Sequence, residues 1–152
     1  MVTLDDVRKG VMAKIASFKD VNTPIYGEGV PQKFKEPCFF IQVVRTSHTQ
    51  QLDYRYNRRH LFDIHYFPKP GNNINEQILV MAERLYEELE YIEVNGKLTR
   101  GVEMHHEATD NVLHFFVNYN FTVKKQVGEL LAMENLYQKG VLKVDRKEEN
   151  QK

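Results

Sequence analysis

Three groups of residues in this 152-residue chain have the types and spacing that chemistry requires. The first is YRYNRRHLFDIHYF, residues 54–67, where arginines and histidines interleave with aromatic rings. Cations that hold phosphates and rings that stack on bases make a single-stranded nucleic-acid platform. The same mixture suits a protein contact, where Tyr and Arg are enriched. The second group is His105, His106 and Glu107, with Asp110 and His114 close by, all of ligand types that bind zinc. The third is Glu87, Glu88, Glu90 and Glu93, whose carboxylates suit general acid–base work if a pocket drives their pKa values apart.

Each group also has a plainer reading. His105 and His106 are adjacent, so on a strand they point to opposite faces. Neither HExxH nor a Cys–His spacing accompanies them, and no metal site is expected. The glutamates read as the solvated face of a helix. Cys38 stands in Pro37-Cys38-Phe39-Phe40, an apolar setting that marks a packed thiol rather than a nucleophile. As the single cysteine it forms no intrachain disulfide, which suits a reducing compartment. GxSxG, P-loop and GxGxxG patterns are all absent. The expectation is a protein that is not an enzyme and takes no cofactor.

Charge narrows the partners. Lys+Arg and Asp+Glu both number 21, for a formal net charge of zero. Proteins that neutralise phosphates show a basic excess, so no specific nucleic-acid partner is expected. The start, MVTLDDVRKG, has acids where a signal peptide needs an apolar stretch, and no window approaches a membrane span. The expectation is a chain with no membrane partner, cytosolic when made.

The elements that position these residues follow from periodicity. Thr3 and Asp6 suggest a capping box for a helix over 3–18, with Leu4, Val7, Val11, Ile15 and Phe18 on its apolar face. Residues 20–36, with Pro24, Gly27, Gly29 and Pro31, read as a loop that holds a short strand at Ile25-Tyr26. Residues 37–45 form a strand with Phe39, Ile41 and Val43 on one side. Residues 51–67 alternate: Leu52, Tyr54, Tyr56, Phe62, Ile64 and Tyr66 on one face, Asp53, Arg55, Asn57, Arg59, Asp63 and His65 on the other. Asn73 and Glu76 suggest a second capping box, for a helix to about residue 90. Tyr91–Val94 reads as a strand, Asn95-Gly96 as a hairpin turn, and Leu98, Val102, Met104 and Ala108 alternate on the strand after it. Asp110-Asn111 turns into a strand over 112–123 with Leu113, Phe115, Val117, Tyr119, Phe121 and Val123 on one face. The predicted fold is α+β: a mainly antiparallel sheet of about four strands with two helices on one face.

Two features exceed that domain, which spans 1–127. A strand of seventeen residues would extend roughly 55 Å at about 3.3 Å per residue, far beyond the usual length. Its first half is therefore expected to bend or to project as a long β-hairpin with residues 44–50, presenting Tyr54, Arg55, Tyr56, Arg58 and Arg59. Residues 128–152 form a C-terminal helical extension and charged tail, in which Leu130, Leu131 and Leu136 are expected either to fold back on the domain or to dock on a neighbour. These eight residues are the candidate protein-interface set.

Whole segments of the chain resemble the phage tail terminator family of contractile-tailed prophages and phage-tail-like bacteriocins. They are DDVRKGV (5–11), YGEGVPQKFKEPCFFIQV (26–43), YRYNRRHLFDIHYFP (54–68), AERLYEELEYI (82–92) and RGVEMHHEATDNVLHFFVNYNF (100–121). The resemblance implies a homo-oligomeric, hexameric ring on the head-proximal end of a tail. Such a ring ends tube and sheath polymerisation, contacts tail tube and tail sheath proteins, and offers a surface to head-completion proteins. It implies assembly in the host cytoplasm and residence in the virion or tail-like particle, and it transfers no catalytic residue. A head–tail connector or tail-completion protein is the alternative of the same kind.

Overall fold

Thr3 begins the first helix as its side chain allows. Its Oγ1 accepts from the Asp6 amide at 3.1 Å while Asp6 Oδ2 accepts from the Thr3 amide at 2.9 Å, satisfying two N-terminal donors at once. The computed structural model describes residues 2–27 and 35–125. In them the order is α1 (Leu4–Phe18), β1 (Ile25–Tyr26), β2 (Cys38–Gln50), β3 (Arg55–Phe67), α2 (Ile74–Glu88), β4 (Tyr91–Val94), β5 (Lys97–Thr109) and β6 (Val112–Lys124). Residues 126–152, with Leu130, Leu131 and Leu136 and the whole predicted extension, lie outside the described residues.

The strands form one curled sheet in the order β1-β2-β3-β6-β5-β4. β1 runs parallel to β2 and the other neighbours are antiparallel. The α+β class and the two helices on one face agree with the sequence reading. The sheet, however, has six strands and is mixed, where about four antiparallel strands were expected. The parallel strand is too short to show a period of its own, and β2, β3, β5 and β6 are each long enough to look like the whole sheet.

Burial explains the layering. Val7, Val11 and Ile15 of α1 and Ile78, Ala82 and Leu85 of α2 pack with Phe39, Ile41, Phe62, Ile64, Leu113, Phe115, Val117 and Tyr119 of the sheet. Gly10 brings α1 against β4, since a Cβ there would lie 2.8 Å from the Glu93 carbonyl oxygen. At the C-terminus of α2, buried Tyr119 donates its hydroxyl proton to the Leu89 carbonyl at 2.7 Å. That bond anchors the end of the helix to β6.

Two bulges set which face each side chain occupies. Val44 has no partner between the pairs Val43–Phe62 and Arg45–Leu61, and in β5 Glu103 and Met104 lie between Val102–Asn118 and His105–Phe116. Each extra residue reverses the inside–outside alternation beyond it. Glu103 takes φ 54°, a left-handed conformation that lets the strand absorb it. The predicted alternation of Leu98, Val102, Met104 and Ala108 is corrected in part: Met104, at the bulge, keeps its predicted side and packs partly buried against the core, and Ala108 is exposed. Leu98 is 75% exposed, and Thr99 and Gly101 face inward instead.

Other expectations divide in the same way. Asn95-Gly96 and Asp110-Asn111 are tight turns with positive φ at both residues. Residues 51–54 are a turn and not strand, so Leu52, Asp53 and Tyr54 leave the alternating series. Asn73 precedes α2 without capping it through its side chain, and its Oδ1 accepts instead from Gln77 Nε2 at 3.0 Å.

Candidate assembly surface

β2 and β3 form the expected long hairpin, with Gln50 opposite Tyr56 and the Gln51 amide donating to the Arg55 carbonyl at 2.8 Å. It is not a free two-stranded arm. β6 accompanies β3 throughout, from Leu113–Tyr66 to Lys124–Arg55, so the sheet end is three strands wide. Pairing along both edges of β3 supports a strand of this length where an isolated hairpin would be marginal.

The five hairpin residues separate by face. Tyr54 lies partly exposed in the turn, and its carbonyl accepts from the Lys125 amide at 3.0 Å. Arg55 and Arg59 are exposed on the face away from the helices. Tyr56 and Arg58 are on the helix side. Tyr56 is only 9% exposed, stacked on His48 at 4.5 Å with the Lys125 ammonium 5.0 Å from its ring centre. Arg58 Nη1 donates to the Val2 carbonyl at 3.0 Å and ties the sheet to the start of α1. Period two in β3 thus sorts the strip correctly, and it sends two of its members into internal contacts.

Arg59 joins a groove on the open face. Arg45, Ser47, Arg59, Leu61, Glu103, His105 and Asn118 line a space of about 360 Å³, with Arg59 paired to Glu103 across it. Both bulges contribute, because Arg45 follows the one in β2 and Glu103 lies in the one in β5. The groove is open and polar, which suits a side chain from another protein better than an enclosed small molecule.

The edge of β2 is the larger feature. β1 pairs only with Phe39 and Phe40, so among the described residues no strand covers Gln42–Gln50. Nine residues of uncovered edge extend roughly 30 Å, with backbone N–H and C=O groups directed outward. Most of these residues are exposed, and the bulge with Arg45 at its side restrains unspecific pairing. At the other margin β4 pairs only with Lys97–Arg100, leaving Val102–Thr109 of β5 without an outer strand among the described residues.

The family profile described as phage tail terminator protein matches residues 6–129. The chain belongs to that family. Membership gives this tail terminator family member a structural role in a phage tail, in association with other tail components. No curated protein matches it. One solved structure, which bears no functional name, is similar at 11% identity over 82% of this chain and 97% of that one, with a TM-score of 0.42.

The remaining candidate residues of this family member are dispersed. Glu88 pairs with Arg84 at 3.2 Å and Lys14 at 3.9 Å, and Glu90 pairs with Arg100 at 3.7 Å, while Glu87 and Glu93 face solvent. His105 stacks on Phe116 on the open face, and His106 meets the Tyr86 hydroxyl at 2.9 Å on the helix side. The structure therefore separates the histidines that adjacency brought together in the sequence. Cys38 is buried, and burial pushes its thiol up to about 11, the state of a packed side chain. No helix among the described residues is long and apolar enough to cross a membrane.

The sequence reading missed a different trio. Asp63, His65 and His114 converge on the open face, with all their ligand atoms within 4.8 Å of one another. The signal was present in part: Asp63 and His65 share a strand face at a spacing of two. The register of β3 against β6, which brings in His114, was not legible.

Proposed function

We propose that this protein is the terminator subunit itself, a ring-forming cap at the head-proximal end of a phage or phage-like tail. It ends tube and sheath polymerisation and offers the joining surface to head-completion proteins, acting through assembly and not through catalysis. Family membership supports the tail role. The observation that carries the ring is the pair of sheet margins that no strand covers among the described residues, Gln42–Gln50 on β2 and Val102–Thr109 on β5. A margin of one copy that pairs with the opposite margin of the next makes a heterologous contact, which closes into a ring when the rotation allows. Arg45, Arg59 and Glu103 beside these margins then fix the register through charge.

Electron microscopy of native particles with this chain labelled tests the proposal. Label confined to the head-proximal tip, at about six copies per particle, is the expected outcome under closed cyclic symmetry. Label in the neck beyond the end of the sheath would assign the chain to the connector instead. Particles without label would remove the structural reading.

A further inference from the structure

We propose that Asp63, His65 and His114 form a site for one divalent transition-metal ion of the zinc class, set on the open face near one end of the paired strands β3 and β6. β3 puts Asp63 and His65 on the same side, and the register places His65 directly opposite His114 of β6. Asp63 Oδ2 lies 2.8 Å from His65 Nε2 and 3.3 Å from His114 Nδ1, and the imidazole centroids are 4.4 Å apart. Two imidazole nitrogens and a carboxylate oxygen are the donors of a three-ligand zinc site that keeps a further position open.

Asp63 supplies an independent argument. It is 7% exposed, and its Oδ1 has no hydrogen-bond partner among the described residues. Its cross-strand neighbours are Gln42 and Phe116, and its Oδ2 is in hydrogen-bond contact with the two histidines. A buried carboxylate oxygen without a partner is costly, and a cation beside it removes that cost. Both imidazoles are half-buried and already turned towards Asp63, so an ion replaces their contacts without moving a strand. Each neutral ring then keeps its proton on its other nitrogen, and its ligating lone pair goes to the metal. The consequence is a clamp between β3 and β6, the two middle strands of the sheet, near one end of their pairing.

The test uses the full chain, stripped with a chelator and titrated with zinc sulfate. Calorimetry should show one ion bound per chain, with a rise in Tm, and the ring-proton resonances of His65 and His114 should shift while those of the other histidines stay in place. His65→Gln and His114→Gln, at half-buried positions, should each weaken binding about tenfold or more with unchanged circular dichroism. Absence of stoichiometric uptake by the wild-type chain overturns the site. So does uptake that shifts His105 or His106 instead, or that survives both substitutions.

Discussion

His60 shows what a single buried titratable group does to this domain. It is fully buried, its Nδ1 lies 3.0 Å from the Tyr119 carbonyl and donates to it, and its Nε2 has no partner among the described residues. Burial lowers its pKa from the ordinary 6.5, the Tyr119 carbonyl opposes that by raising it, and the nearby Arg58 charge lowers it further. The folded state therefore holds His60 neutral, while the unfolded chain takes up a proton near the ordinary value. Stability is complete above about 6.5 and falls as pH drops towards the lower folded value. Thermal melts should show Tm decreasing from neutral to mildly acidic pH, and His60→Gln should flatten that decrease. His48, also shifted downward by burial first, leaves a residual slope. An unchanged pH profile in His60→Gln would show that His60 does not carry it. In sequence His60 is one more polar residue of a basic strip, and only the parity of β3 places it on the helix side.

At the scale of the element, β2 changes character along its length. Cys38–Ile41 are buried, and from Gln42 onward the strand is mostly exposed. The Gln51 amide donates to the Arg55 carbonyl, so by antiparallel alternation residues 49, 47 and 45 direct their N–H groups at β3, and 50, 48 and 46 direct theirs outward. Thr46→Pro therefore removes an outward donor from an edge strand, a position where proline is tolerated. The expected outcome is a monomer with an unaltered melt whose self-association, measured by sedimentation, is weaker by about tenfold or more. Association at wild-type strength would exclude the β2 edge as the contact. Tyr56→Ala and Arg58→Ala are poorer probes of assembly, because both side chains make internal contacts. The strand itself was legible from residues 37–45, and its continuation to Gln50 only through the length of its hairpin partner, because the extra residue Val44 breaks the alternation that identifies a strand.

For the whole molecule, charge balance and topology argue together for protein partners. Net charge is zero, and of the two exposed arginines in the strip, Arg55 and Arg59, the second is paired with Glu103. In titrations with single-stranded oligonucleotides at near-physiological salt, no saturable binding is expected. Tight binding that falls steeply with added salt would restore the nucleic-acid platform. The sequence by itself determined the two helices, the turns at Asn95-Gly96 and Asp110-Asn111, the inward residues of β3 and β6, and the likeness to tail terminators that the family match bears out. These depend on local periods of two and 3.6, on turn residues such as Asn95-Gly96, and on whole-segment similarity. Tertiary structure alone decided the six-strand order, the two bulges, the Arg45–Arg59–Glu103 groove and the meeting of His114 with Asp63 and His65. Those depend on register between strands distant in sequence, where a shift of one residue turns every side chain to the other face.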